Sequence, residues 1–148
     1  MAAKRLTTEL KELTSDPMEQ YSVVPVPDDL FTWKATIAGP KESPFEGGKF
    51  VLTITFSDNY PQKPPKVRFD TRIFHPNIIH MDYVCLDILG DSWRPTLKMS
   101  MVLLSIWSYL GEPDLDRAAH ANIADLYIGN QEQYKKTASE WTAQYASQ

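Results

Sequence analysis

A single cysteine, Cys85, in a chain of 148 residues rules out an internal disulfide framework. Together with only three histidines (His75, His80 and His120) it cannot supply an ordinary four-ligand zinc site, so no metal is expected. Long hydrophobic runs are missing too. The longest, around Met101 to Ile106, is far too short to cross a bilayer, and no membrane partner is expected. Met1-Ala2-Ala3-Lys4-Arg5 leads into polar residues rather than an apolar leader, so the expectation is a soluble, unsecreted protein of the cytoplasm and/or nucleus. Basic charge is also in short supply. A net charge of −4 and a pI of about 5.3 oppose a broad phosphate-binding surface, which excludes nucleic acid as an expected main partner. Lysine and arginine gather only locally, at Lys4-Arg5-Lys11 and at Lys63-Lys66-Arg68, groupings that on most proteins are solvated faces.

What remains is enough for a core. A 43% hydrophobic fraction at this length suits one domain spanning 1–148 without metal or disulfide support. Leu6, Leu10 and Leu13 make an apolar stripe on a first helix that ends before Asp16-Pro17, with charge on its other face. Val23-Val24-Pro25-Val26-Pro27 is too rich in proline for a central strand and suits an edge. Two alternations follow. Phe31, Trp33, Ala35 and Ile37 share one face, then Phe50, Leu52, Ile54 and Phe56, with the stretch from Gly39 to Gly48 as the connection. Lys66-Val67-Arg68-Phe69 makes a fourth strand. From Thr71 to Leu97 neither period holds, although the stretch is apolar enough to need anchoring on the core; ordered loops this long are often functional. Helices then take over. Ser100 is placed to cap one carrying Leu103, Ile106, Trp107 and Leu110, widened by Met99 and Val102 and stopped at Gly111. A short helix with Ile123, Leu126 and Tyr127 closes at Gly129, and Asn130 with Gln133 opens a last one bearing Tyr134, Ala138, Trp141 and Tyr145. The order of helix, four-stranded antiparallel meander, long loop and three C-terminal helices reads as α+β.

Taken alone, Cys85 between Val84 and Leu86 fits a core thiol. Its setting points elsewhere, because it lies in the irregular stretch beside Asp87 and downstream of His75-Pro76-Asn77. His75-Pro76-Asn77, Cys85-Leu86-Asp87-Ile88-Leu89 and Trp93 with Pro95 resemble the active-site signature of ubiquitin-conjugating enzymes. Gly39-Pro40, Ser43-Pro44-Phe45-Glu46-Gly47-Gly48, Tyr60-Pro61, Pro64-Pro65-Lys66-Val67, Leu103-Leu104-Ser105-Ile106 and Glu140-Trp141-Thr142 extend the resemblance over the whole chain, closest to the small stress- and housekeeping-type branch.

The resemblance implies the core fold of that family and a carrier chemistry. Cys85 takes activated ubiquitin as a thioester from an activating enzyme, which consumes ATP, and passes it to a lysine or a ligase cysteine; no cofactor is bound. The thiolate is the nucleophile. Asn77 is implied as the amide that braces the loop and donates to the oxyanion, although bracing alone would also account for it. Asp87 orients the acceptor amine or is merely solvated. Asp116 and Arg117 fall at the acceptor gate. Lys4, Arg5, Pro61, Gln62, Lys63, Arg94, Pro95 and Thr96 fall where the activating enzyme and RING-type or HECT-type ligases dock. Leu104 and Ser108 fall where the thioester-linked ubiquitin folds back, and Ser22 where a second ubiquitin rests on the opposite face. A monomer is expected. His75 reads as structural, its ring bonded to backbone.

Several positions depart from the branch. Ile79-His80-Met81-Asp82-Tyr83 stands where a turn with asparagine and glycine is usual; without a glycine, Asp82 is the natural residue for a positive φ, and His80 or Tyr83 is brought toward the site. Arg117 replaces an aspartate, with Asp114 and Asp116 near enough to compensate, and the cation should slow transfer to an amine relative to a thiol. Gln62 replaces an aromatic ligase anchor, and Arg94 and Thr96 replace smaller residues, which implies altered ligase choice. These substitutions leave a second reading open, a catalytically weak variant acting as a ubiquitin-binding scaffold. A cysteine protease pairing Cys85 with His75 is a distant third.

Overall fold

The computed structural model describes residues 1–147. Helix α1 (Ala2–Ser15) leads into strands β1 (Tyr21–Val26), β2 (Asp29–Ala38), β3 (Lys49–Thr55) and β4 (Lys66–Phe69). Each strand pairs antiparallel with the next, giving the sheet order β1-β2-β3-β4. Helices α2 (Met99–Gly111), α3 (Ala121–Gly129) and α4 (Gln131–Tyr145) follow the long loop. The architecture is the α+β arrangement expected, with Pro25 on the outer strand, where its missing N–H breaks no ladder.

The pleat sorts the side chains. Trp33, Ala35 and Ile37 of β2, Phe50, Leu52 and Ile54 of β3, and Phe56 just beyond it are buried, whereas Phe31, at the start of its alternation, is only half-buried. Helix α2 lies against this layer with Met99, Val102, Leu103, Ile106 and Leu110 buried; Trp107 sits at the edge of the stripe, half-exposed. Each fully buried side chain of this size contributes roughly 1.5–3 kcal/mol. The hairpin after β2 closes through Gly39, whose N–H donates to the Gly48 carbonyl at 2.9 Å. A Cβ there would lie 1.7 Å from the Phe45 carbonyl oxygen, so only glycine fits.

One of the two expected helix caps differs. Ser100 does not cap α2; it lies inside the helix. The cap comes from α1, where Glu9, 3% exposed, accepts from the Met99 amide at 2.8 Å through Oε1. Its other oxygen accepts from Arg5 Nε at 2.9 Å and from the Tyr60 hydroxyl. The α1 face read as charged is thus partly interior. Burial, then the bond to Glu9, pushes the Tyr60 phenol well above its ordinary range. At α4 the expectation holds, with the Asn130 side chain accepting from the Gln133 amide at 3.2 Å. On that helix Tyr134 and Ala138 are buried, Trp141 is half-buried and Tyr145 is 41% exposed. Among the described residues no helix is long and apolar enough to cross a membrane, and no group of three or more histidine, cysteine, aspartate or glutamate side chains is placed to hold a metal ion.

Candidate active site

The stretch between β4 and α2 is irregular, as its lack of period implied, but short pieces of order hold it. Met81 N–H donates to Phe69 O at 3.0 Å and Val84 N–H to Val67 O at 2.7 Å, and Tyr83 bridges Arg68, so 81–84 runs along the free side of β4. A 3-10 turn covers Asp87–Leu89. Val84 and Leu86 are buried, and the alternation leaves Cys85 between them exposed to solvent. The core-thiol alternative is thereby excluded.

The turn before Cys85 solves its missing glycine differently from expectation. Met81, not Asp82, takes the positive φ, at 65°. Asp82 instead accepts from the Tyr83 amide at 2.8 Å through Oδ1, a short side-chain turn that needs no left-handed backbone of its own. His80 is turned away, donating from Nε2 to Asp70 O at 2.8 Å, while Tyr83 is exposed under the Lys66 ammonium, 5.3 Å from its ring centroid.

His75 is structural. Its Nε2–H donates to Tyr109 O at 2.7 Å and its Nδ1 accepts from the Asn77 amide at 3.1 Å, which fixes the neutral tautomer. Burial outweighs the main-chain contacts at Tyr109 and Leu110 and lowers its pKa to about 4. His120 is similarly tied, donating to Ile78 O at 3.0 Å. All three histidine rings face main-chain carbonyls, so none is paired with Cys85 as a base.

Asn77, 2% exposed, is held on every side. Its Nδ2 hydrogens go to Asp114 O at 2.7 Å and Arg117 O at 3.1 Å, and its Oδ1 accepts from the Asp114 amide at 2.9 Å. These bonds close the 114–117 loop onto His75-Pro76-Asn77, aided by Ala119 and His120 amides donating to Pro76 O at 2.7 and 3.0 Å. Both amide hydrogens are thus engaged by loop carbonyls, and an oxyanion could receive one only if a loop bond opened.

Asp87 is half-buried. Its Oδ1 accepts from the Ile88 amide at 2.8 Å and, at the long end of hydrogen bonding, from the Tyr109 hydroxyl at 3.4 Å. Partial burial and then the Asp87 and Asp114 charges raise the Tyr109 pKa. Tyr109, which no sequence pattern singled out, therefore contacts both His75 and Asp87.

At the expected acceptor gate, Arg117 reaches Asp91, Nη2 to Oδ2 3.7 Å, but Asp91 is 96% exposed, so the pair is weak. Asp114 is not free to compensate for the cation, because its Oδ1 caps the short 3-10 turn Leu115–Arg117 by accepting from the Asp116 amide at 3.1 Å. Asp116 is the exposed carboxylate of the pair.

The residues expected to dock partners are mostly at the surface. Lys4, Gln62, Lys63, Arg94, Pro95 and Thr96 are exposed and Pro61 is half-buried. Trp93 Nε1 donates to Pro61 O at 2.9 Å and ties the two loops together. Arg5 is less available than expected. Its guanidinium donates to Leu97 O at 2.9 Å and lies over the Tyr60 ring at 5.6 Å, in addition to its bond with Glu9. Leu104 is half-buried on α2 with Ser108 exposed beyond it, and Ser22 is exposed on β1, paired with Thr36 on the face of the sheet away from α2.

Residues 5–142 match the family model of the ubiquitin-conjugating enzymes, and with that match carried by this fold, the chain belongs to the ubiquitin-conjugating enzyme family, whose members work with ubiquitin, an activating enzyme and ligases.

Proposed function

We propose that this chain is an active carrier. Cys85 accepts the ubiquitin C-terminus as a thioester from the activating enzyme and hands it to a substrate lysine or a ligase cysteine. The exposure of Cys85 between two buried neighbours supports this most directly, because a thioester to another protein requires a sulfur at the surface. The absence of a histidine partner suits a carrier, since a strong base beside the thioester would also activate water. Asn77 acts first as the brace of the 114–117 loop and donates to the oxyanion when that loop yields; Asp87, held by its own turn and Tyr109, orients the incoming group. Asp116 and Arg117 face the acceptor. The surface of Lys4, Arg5, Pro61, Gln62, Lys63, Arg94, Pro95 and Thr96 receives the activating enzyme and RING-type or HECT-type ligases, with Gln62 narrowing the choice. Leu104 and Ser108 meet the carried ubiquitin, Ser22 a second one. The protein acts as a monomer in the cytoplasm and/or nucleus and binds no cofactor of its own.

Incubation with activating enzyme, ATP and ubiquitin tests the reading. A single-ubiquitin adduct that thiols cleave, lost in Cys85→Ala, is the expected product; no adduct with a folded protein would overturn it.

One observation favours a second reading, a weak or inert family member that acts as a ubiquitin-binding scaffold. Both Asn77 amide hydrogens are already bonded to Asp114 and Arg117 carbonyls, leaving no donor aimed outward. Thioester formation without measurable discharge to either lysine or thiol would be its signature.

A further inference from the structure

Beside the cysteine loop runs a groove of about 470 Å³ between the β3–β4 connection and residues 83–89. Phe56 and Leu89, with Pro64 and Pro65, line it with apolar surface; Lys63, Lys66, Tyr83 and Asn59 supply its polar groups. No aspartate or glutamate is among its lining residues, although the chain as a whole carries a net charge of −4. The Lys66 ammonium is held 5.3 Å from the Tyr83 ring centroid, so the cation is stationed over the groove rather than swept through solvent. Lys66 makes no ion pair among the described residues, and neither does Lys63.

The groove adjoins the chemistry. Tyr83 and Cys85 are both exposed on either side of buried Val84, and two residues of extended chain span at most about 7 Å. Tyr83 and the Lys66 ammonium above it are therefore within reach of the residues that flank a lysine presented at Cys85. We infer that this groove selects acceptor polypeptides in which acidic side chains flank the target lysine, Lys66 meeting the acids while the half-buried Pro64 and Leu89 take the intervening apolar contact. The inference rests on the carrier reading and names the substrate class of the same site. It also bears on Arg117, since anionic flanks offset a cation that would otherwise repel the approaching ammonium.

Two measurements test it. Amide NMR shifts of the uncharged protein are followed during titration with a lysine peptide flanked by glutamates and with the same peptide flanked by glutamines. Shifts at Lys66, Tyr83 and Leu89 are expected with the first peptide only, lost in Lys66→Glu; absence of those shifts, or equal shifts with both peptides, overturns the inference whether or not Cys85 is ever charged. Discharge of the ubiquitin thioester is then compared on the two peptides. The glutamate peptide should react about fivefold faster, as expected for a pair of exposed charge contacts, and the ratio should fall toward one in Lys66→Gln and in about 0.5 M salt. Lys66→Gln should form its thioester and react with free lysine as the parent does. A ratio near one in the parent, or a Lys66→Gln defect confined to ligase-stimulated reactions, would assign the groove to a ligase instead. Failure to form any thioester sinks the carrier reading and leaves the titration to decide the groove.

Discussion

Replacing Glu9 should be among the most damaging single changes outside the hydrophobic core, and the structure allows its size to be worked out. The carboxylate joins three parts of the chain, accepting from Arg5 Nε at 2.9 Å, from the α2 amide of Met99 at 2.8 Å and from the Tyr60 hydroxyl. Glu9→Ala removes the cap of α2, a loss of about 1 kcal/mol. It also leaves the hydroxyl of Tyr60, a residue 1% exposed, without its acceptor, at about 1–3 kcal/mol. Arg5, 27% exposed, can turn part of its guanidinium to water, so the lost ion pair adds little. The sum is about 3 kcal/mol. Urea unfolding should show that drop as a lower midpoint at unchanged slope. Glu9→Gln, which keeps an acceptor oxygen and the shape, should cost about 1 kcal/mol. In a double-mutant cycle Glu9→Ala and Tyr60→Phe should be coupled by about 1 kcal/mol, because the same bond is deleted twice. A Glu9→Ala protein within about 0.5 kcal/mol of the parent, or strict additivity in the cycle, would refute the three-way junction.

Lowering the pH should weaken the fold through His75. The unfolded ring takes a proton near its ordinary 6.5 while the folded ring stays neutral to about 4, so the unfolded state binds more protons across that window and stability falls as pH drops through it. Between pH 7 and 5 this ring alone should remove about 2 kcal/mol, and its NMR signals should not move over that range; a midpoint near 6.5 would show the assignment to be wrong. Arg117→Asp should speed thioester discharge onto free lysine by about tenfold, with thiol transfer little changed, and equal lysine rates in both proteins would count against a repulsive gate. Asn77→Ala should raise hydrogen exchange at the Arg117 amide by about tenfold or more while Cys85 still charges, whereas full protection there would mean that the loop does not depend on this brace.

The strands were legible because their alternation is local. Trp33, Ala35 and Ile37 against Thr32, Lys34 and Thr36 can point only two ways, and a covered face decides which. Cys85 and His75-Pro76-Asn77 were legible as a set, although nothing local says that Cys85 is exposed; that follows from the 81–84 segment running beside β4. The bonds that matter most around the site were not readable. Asn77 finds its partners in a loop far along the chain, and Glu9 serves a helix whose own sequence offers the plausible but unused Ser100. Asp82 looked the better residue for a positive φ on intrinsic preference, yet the ladder bond from Met81 to Phe69 places the turn one residue earlier. Long-range hydrogen bonding overrode local propensity in each case.

The segment that leads to Cys85 also seals the sheet. By donating from Met81 and Val84 to β4 it occupies one of the two margins at which another strand could be recruited. The opposite margin is β1, where Pro25 offers no hydrogen to a newcomer and the register slips between Pro25 and Val26. Growth into ribbons, the usual hazard of a half-open sheet, is therefore blocked on both flanks. The loop that exposes Cys85 thereby doubles as a guard on the margin of the sheet.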